Sequence, residues 1–260
     1  MLTREETRIK AIRPNAGVEA AYRGALQALV REIAQSMLIE VREAYKREAP
    51  AIGFASDSSD ILRDTLNRWA QIWEERIEPI ATGIAHAFAH RSSTHLDAAF
   101  RKVLRDAGFT VRFQATQGMA EAFRAVLAEN VNLIKSIPSK FLTEVQTAVW
   151  QAVMKGSTLG TLSQTIQARY GVTYRRAALI ARDQSAKAKA VMEQARRSEL
   201  GITEAIWMHS HAGKEPRPTH VRMNGKRYKI KVGMWDSAEG EFVWPGTLIN
   251  CRCTSRAILP

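Results

Sequence analysis

Cysteine is nearly absent from this chain: Cys251 and Cys253 are its only two, separated by one residue near the C-terminal end. A disulfide across a single intervening residue closes too small a loop to staple a fold, so the sequence is not a disulfide scaffold. The pair reads as a metal clip or as two small buried side chains. Long apolar runs are missing as well; no stretch of eighteen apolar residues occurs, which excludes a membrane-spanning helix. The opening MLTREETRIKAIRPNAG carries charge where a secretory signal needs an apolar core, so folding in a reducing cytoplasm is expected. Nowhere does the chain show G-x-x-x-x-G-K-[ST], G-x-S-x-G or H-E-x-x-H, which removes the usual signatures of phosphate loops, serine hydrolases and zinc proteases. Internal repeats and low-complexity tracts are also lacking.

What is present is an ordinary globular composition. The chain has 260 residues, 45% of them hydrophobic and 25% charged, enough for one large domain or two smaller ones. Its net charge of +12 and pI near 10.0 favour an acidic partner, with nucleic acid the commonest.

The first four-fifths read as helix. Over residues 18–49, Tyr22, Leu26, Leu29, Ile33, Met37, Val41 and Tyr45 recur every three or four positions and share one face. Residues 50–60 break the pattern, and Asp57, Ser58 or Ser59 then serves as an N-cap. A second stripe follows in Leu62, Leu66, Trp69, Trp73, Ile77, Ile80, Ile84 and Phe88, with a kink or break expected near Glu78 because of Pro79. The two matching faces, each on a helix of roughly 40 Å at ~1.5 Å per residue, suggest an antiparallel pair or a surface held for another subunit. Further helices are expected over 94–107, ending at Gly108; over 117–135, stopped by Pro138; and from Ser139 to Gly156, with Phe141, Val145, Val149 and Val153 inward. Two more run over 161–170, closed by Gly171, and over 173–200, ended by Gly201 with an alanine face of Ala177, Ala181, Ala188 and Ala195.

After Gly201 the pattern changes to short strands at 205–209 and 241–244. Asn224-Gly225 suits a two-residue β-hairpin turn, followed by alternating Tyr228, Ile230 and Val232. The expected architecture is mainly α, a long-helix N-terminal part and helical stem carrying a small C-terminal α+β unit with a hairpin. The segments are 1–115, 116–204 and 205–260.

The chemistry-bearing residues gather in the last segment. His209 and His211 share a strand face with Trp207, and Cys251 and Cys253 point together. A tetrahedral zinc site from His209, His220, Cys251 and Cys253 is the metal reading, structural because four protein ligands leave no open position; buried thiols with hydrogen-bonded histidines are the alternative. A nuclease would need His220 as general base and Arg217 or Arg222 as phosphate clamp. Against it, Glu215 is the only carboxylate nearby, so no magnesium cluster is offered. Residues 206–260 carry nine Lys and Arg against four Asp and Glu. Arg222, Lys226, Arg227, Lys229 and Lys231, with Tyr228 among them, read as a phosphate-facing surface or as a solvated hairpin face.

These residues carry a resemblance. Gly201-Ile202, Trp207, Arg217, His220, Asn224-Gly225, Pro245-Gly246 and Asn250-Cys251-Arg252-Cys253 follow the order found in phage Mu F-like head morphogenesis proteins, and the helices from Asn130 onward resemble the helical half of that domain. Two departures stand out: Ala181-Arg182-Asp183-Gln184 where the family commonly has Ala-Arg-Thr-Glu, and His211-Ala212-Gly213 where it often places an Asp. The resemblance implies a non-enzymatic minor head protein, present in few copies inside the virion head near the portal and in host cytoplasm during assembly. It implies portal and capsid or scaffold subunits as partners, with the 1–115 helices as the docking part; the basic C-terminal unit would then meet packaged double-stranded DNA. Some relatives append a toxin domain after this module; with seven residues beyond Cys253, none is expected here. The alternatives are a zinc-stabilised DNA-binding protein and a nuclease- or toxin-like module.

Overall fold

A computed structural model describes residues 7–47, 56–155, 157–211 and 215–259. The side chains of 56–59 and Val153 lie outside the described residues, as do residues 50–55 of the expected break, Gly156 and Ala212-Gly213; residues 56–60 are already helical, so the helix starts ahead of the caps expected at Asp57, Ser58 or Ser59. Four long helices dominate: α1 Ala16–Arg47, α2 Ser56–Asp106, α3 Gln117–Met154 and α4 Leu159–Glu199. Strand β1 Glu204–Met208, helix α5 Pro218–Met223, and strands β2 Arg227–Lys229, β3 Met234–Asp236, β4 Glu241–Val243 and β5 Thr254–Ile258 follow. The fold is mainly α with a small C-terminal α+β part. No described helix is long and apolar enough to cross a membrane.

Several expected breaks are absent. Helix α2 passes through Pro79 and absorbs the segment expected at 94–107; α3 passes through Pro138; α4 passes through Gly171. Each breaker is flanked by buried positions. Pro79 itself is exposed, but Trp73, Ile77, Ala81 and Ala85 on either side of it are buried, and such burial offsets a proline cost of about 3 kcal/mol. Around Pro138, itself buried, Ile134 and Ile137 are buried as well, and the hydroxyls of Ser136 and Ser139 donate to the carbonyls of Leu133 and Ser136. Glycine inside a helix costs only about 1 kcal/mol, and Leu162, Ile166 and Ala177 are buried on either side of Gly171. Gly108 and Gly201 do stop helices, with φ of 87° and 67°.

Contacts divide the chain into two compact units, Met1–Ala20 with His86–Ala128 and Arg182–Pro260, and Ala21–Ala85 with Glu129–Ala181. Both are assembled from separated stretches, so they cut across the consecutive segments 1–115, 116–204 and 205–260. In the second unit, α1 and α2 run antiparallel: Glu32 pairs with Arg76 at 2.6 Å and Glu40 with Arg68 at 3.4 Å. Both inward tryptophans, Trp69 and Trp73, donate to Ser36 Oγ. All seven residues of the first stripe are buried; in the second, Ile80 and Ile84 are only half-buried. Tyr22 donates to Asn130 at 2.7 Å, satisfying a fully buried amide.

The first unit holds the strands. An antiparallel sheet has the order β2-β1-β5, and β3-β4 form a separate hairpin. The expected hairpin around Asn224-Gly225 is corrected: Pro218 starts α5 from its first position, so residues 218–223 are helical. Asn224-Gly225 instead joins α5 to β2, with Gly225 at φ 76° and its N–H donating to Trp207 O. β2 therefore pairs with β1, Ala205 opposite Tyr228. Tyr228 and Ile230 are buried, but β2 ends at Lys229 and Val232 falls in an exposed turn. At the far edge, Ile9 N–H donates to Ala257 O and Leu259 N–H to Thr7 O, so residues 7–9 lie along β5.

Candidate metal centre and basic cleft

Helix α5 buries one face, carrying Thr219, His220 and Met223. His220 is 2% exposed, and its ring meets Trp207 edge-on at 5.0 Å. Across from it, the loop before β5 delivers Cys251 and Cys253, both buried and both free thiols. Their sulfurs converge on one atom, His220 Nδ1, at 3.5 Å and 3.7 Å. On the other side of the ring, Nε2 lies 3.1 Å from Asp236 Oδ2, close but without the alignment of a hydrogen bond. Asp236 is itself fully buried on β3. Burial works against its charge, but the Ala238 N–H, the Thr219 hydroxyl and His220 outweigh it and hold the carboxyl below its ordinary range.

The cysteine loop is shaped for this approach. Pro245-Gly246 turns with φ 92° at Gly246, where a Cβ would meet Ala186 O at 3.3 Å and Cys253 O at 3.4 Å. The Gly246 N–H donates to Cys251 Sγ at 3.3 Å. Asn250, at φ 61°, is tied to α4 twice: its N–H donates to Asp183 at 2.6 Å and its Oδ1 accepts from Arg182 at 3.0 Å. Hydrogen bonds from Cys253, His220 and Gly246 favour the thiolate of Cys251, while its proximity holds the Cys253 proton on.

Of the four ligands read from sequence, three are gathered: His220, Cys251 and Cys253 offer atoms within 4.8 Å of one another. His209 stands outside that group. It lines the same small cavity of about 70 Å³ with Glu215 and Arg217, and its Nδ1 accepts from the His211 N–H. The sequence reading missed Asp236, because Met234-Trp235-Asp236 lies sixteen residues from His220 and resembles no ligand motif.

The basic residues form two groups. Arg222, Lys226, Arg227, Lys229 and Lys231 are all exposed, with Arg227 paired to Glu204 at 3.0 Å. The second group was invisible in sequence: Lys10, Arg13, Arg182, Lys189, Arg252 and Arg256 line a cleft of about 620 Å³ whose only acid is Glu19. Behind it, α4 carries a buried ion cluster. Glu193 holds Lys189 at 2.5 Å and Arg197 at 2.8 Å, all three less than a tenth exposed.

Residues 143–256 match the family described as Phage Mu protein F like protein. Over those residues the chain is similar to Mu F-like proteins. The matched span contains α4, all five strands except the end of β5, and the whole His220–Cys251–Cys253 cluster. An uncharacterized protein of Haemophilus influenzae is 31% identical over 212 residues, covering 80% of this chain and 45% of its own length. The chain thus spans under half of that relative. No solved structure matches. Within the matched span, the Pro-Gly and Asn-Cys-Arg-Cys elements have physical roles: the first admits the loop against α4 and the second presents two sulfurs to His220.

Proposed function

We propose that this protein is a minor head component of a tailed bacteriophage, a non-enzymatic member of the particle interior acting with the portal and capsid subunits during head assembly. The observation that carries the reading is the Mu F-like match over residues 143–256. In this reading the N-terminal helices supply the docking surface. The exposed basic residues between Arg222 and Lys231 and the 620 Å³ cleft face packaged double-stranded DNA, contacting phosphates without reading sequence. The charge of +12 supports that assignment, and burial of His220 argues against its service as a solvent-facing general base.

Quantitative mass spectrometry of purified procapsids and virions tests the proposal. A few copies per particle are expected; absence from both particles overturns it and favours a free DNA-binding protein. For the DNA contact, Arg13→Glu with Arg256→Glu is expected to weaken affinity for random-sequence duplex and flatten its salt dependence. An unchanged salt slope removes the cleft from the contact.

A further inference from the structure

We propose that this protein binds one zinc ion through His220 Nδ1, Cys251 Sγ and Cys253 Sγ, with the fourth position left to solvent. The inference is independent of any role in the phage head.

The separations are those of a coordination shell. With Zn–S near 2.3 Å and Zn–N near 2.0–2.1 Å, a tetrahedral site sets sulfur and nitrogen ligands about 3.6 Å apart. The two Sγ–Nδ1 separations are 3.5 Å and 3.7 Å. Both sulfurs are aimed at the one ring nitrogen Nδ1, and the tautomer with its proton on Nε2, the side facing Asp236, presents a single lone pair there. A cation at their common focus uses that lone pair and both thiolates together.

Three further features fit a metal and not an apolar thiol pair. Asp236 stands behind the histidine, the arrangement by which carboxylates orient imidazole ligands and raise their basicity. The Gly246 N–H already points at Cys251 Sγ, as donors to bound thiolates do. The Trp207 indole N–H, fully buried, has no well-aligned oxygen or nitrogen acceptor and lies beside Cys253, where it favours the thiolate. The adjoining cavity, about 70 Å³, has room for a few waters but is far below the ~300–1,000 Å³ of a small-molecule site. The ion therefore clips α5, the Cys251–Cys253 loop and β5 together.

The test uses the full chain purified under reducing conditions. Elemental analysis is expected to give one zinc per chain, and Co(II) exchanged into the site should show thiolate charge-transfer and tetrahedral d–d absorption. Cys251→Ser, Cys253→Ser and His220→Ala should each lose the metal. His209→Ala should keep one equivalent, and Asp236→Asn should weaken affinity roughly 10–100-fold. If the cysteine variants fail to fold, the cobalt spectrum of the unaltered chain still decides. Sub-stoichiometric zinc together with no tetrahedral cobalt spectrum overturns the site, and loss of zinc in His209→Ala overturns the three-residue ligand set.

Discussion

Glu193 is the hub of the buried cluster on α4, and its replacement by glutamine is the sharpest probe of how that cluster works. Its carboxylate neutralises two cations at once, Lys189 at 2.5 Å and Arg197 at 2.8 Å. Glu193→Gln keeps the shape but leaves both cations facing each other out of water. Breaking a buried pair by removing one partner costs about 3–5 kcal/mol, and here two cations lose the same partner. Burial already depresses the Lys189 pKa, so the variant is expected to fold with Lys189 neutral, which caps the loss near the lower end of that range. Arg197→Met should be milder, because Lys189 still balances Glu193 and Tyr228 still donates to Ser255 Oγ. The chief loss is the Arg197 hydrogen bond to Ser255 O, worth about 1–3 kcal/mol for a buried acceptor left bare. Replacing all three with apolar residues of similar volume should recover most of the loss. Urea titrations compare the variants through their midpoints at constant slope. If Arg197→Met proves costlier than Glu193→Gln, the carboxylate is not the hub and the reasoning fails.

Three other perturbations address separate parts of the fold. Trp73→Ala empties a site that is 1% exposed between α1 and α2, and should cost about 3–5 kcal/mol in thermal or urea unfolding. Tyr22→Phe removes the hydroxyl that donates to Asn130 at 2.7 Å, with an expected loss of about 1–3 kcal/mol; an unchanged midpoint would mean that another donor or water replaces the hydroxyl. Gly233→Ala forces a side chain into φ 84° with its Cβ 2.7 Å from Val243 O. The left-handed conformation alone costs about 1–2 kcal/mol, and the backbone clash should displace β4, visible as faster hydrogen exchange at Met234 and Val243.

Local periodicity made the helices legible. The stripe from Tyr22 to Tyr45 is buried throughout because a face repeating every three or four residues can be satisfied only by packing. Where the helices end was less legible. Pro79, Pro138 and Gly171 are strong local breakers, and only burial on both sides of them, a tertiary fact, carries the helices through. The Asn224-Gly225 turn was found, but its partner was misassigned, since a turn signal does not say whether helix or strand precedes it. In the site, two thiols and a histidine were legible from residue type alone. Asp236 was not, because its part depends on a β3 position brought under α5, and the cleft was not, because its cations come from both ends of the sequence.

Those two ends also set an order of events. Residues 7–9 lie along β5, and the first unit joins Met1–Ala20 to Arg182–Pro260. The second unit needs nothing beyond Ala181. During synthesis, its helices can pack while the strands are still unmade, but residues 7–9 must wait for β5, almost 250 positions later. Closing so long a loop is slow compared with local helix pairing. The segment that shields the edge of the sheet is therefore made long before the strand it lies on and is seated late, and until it seats, β5 offers an open edge to any other strand.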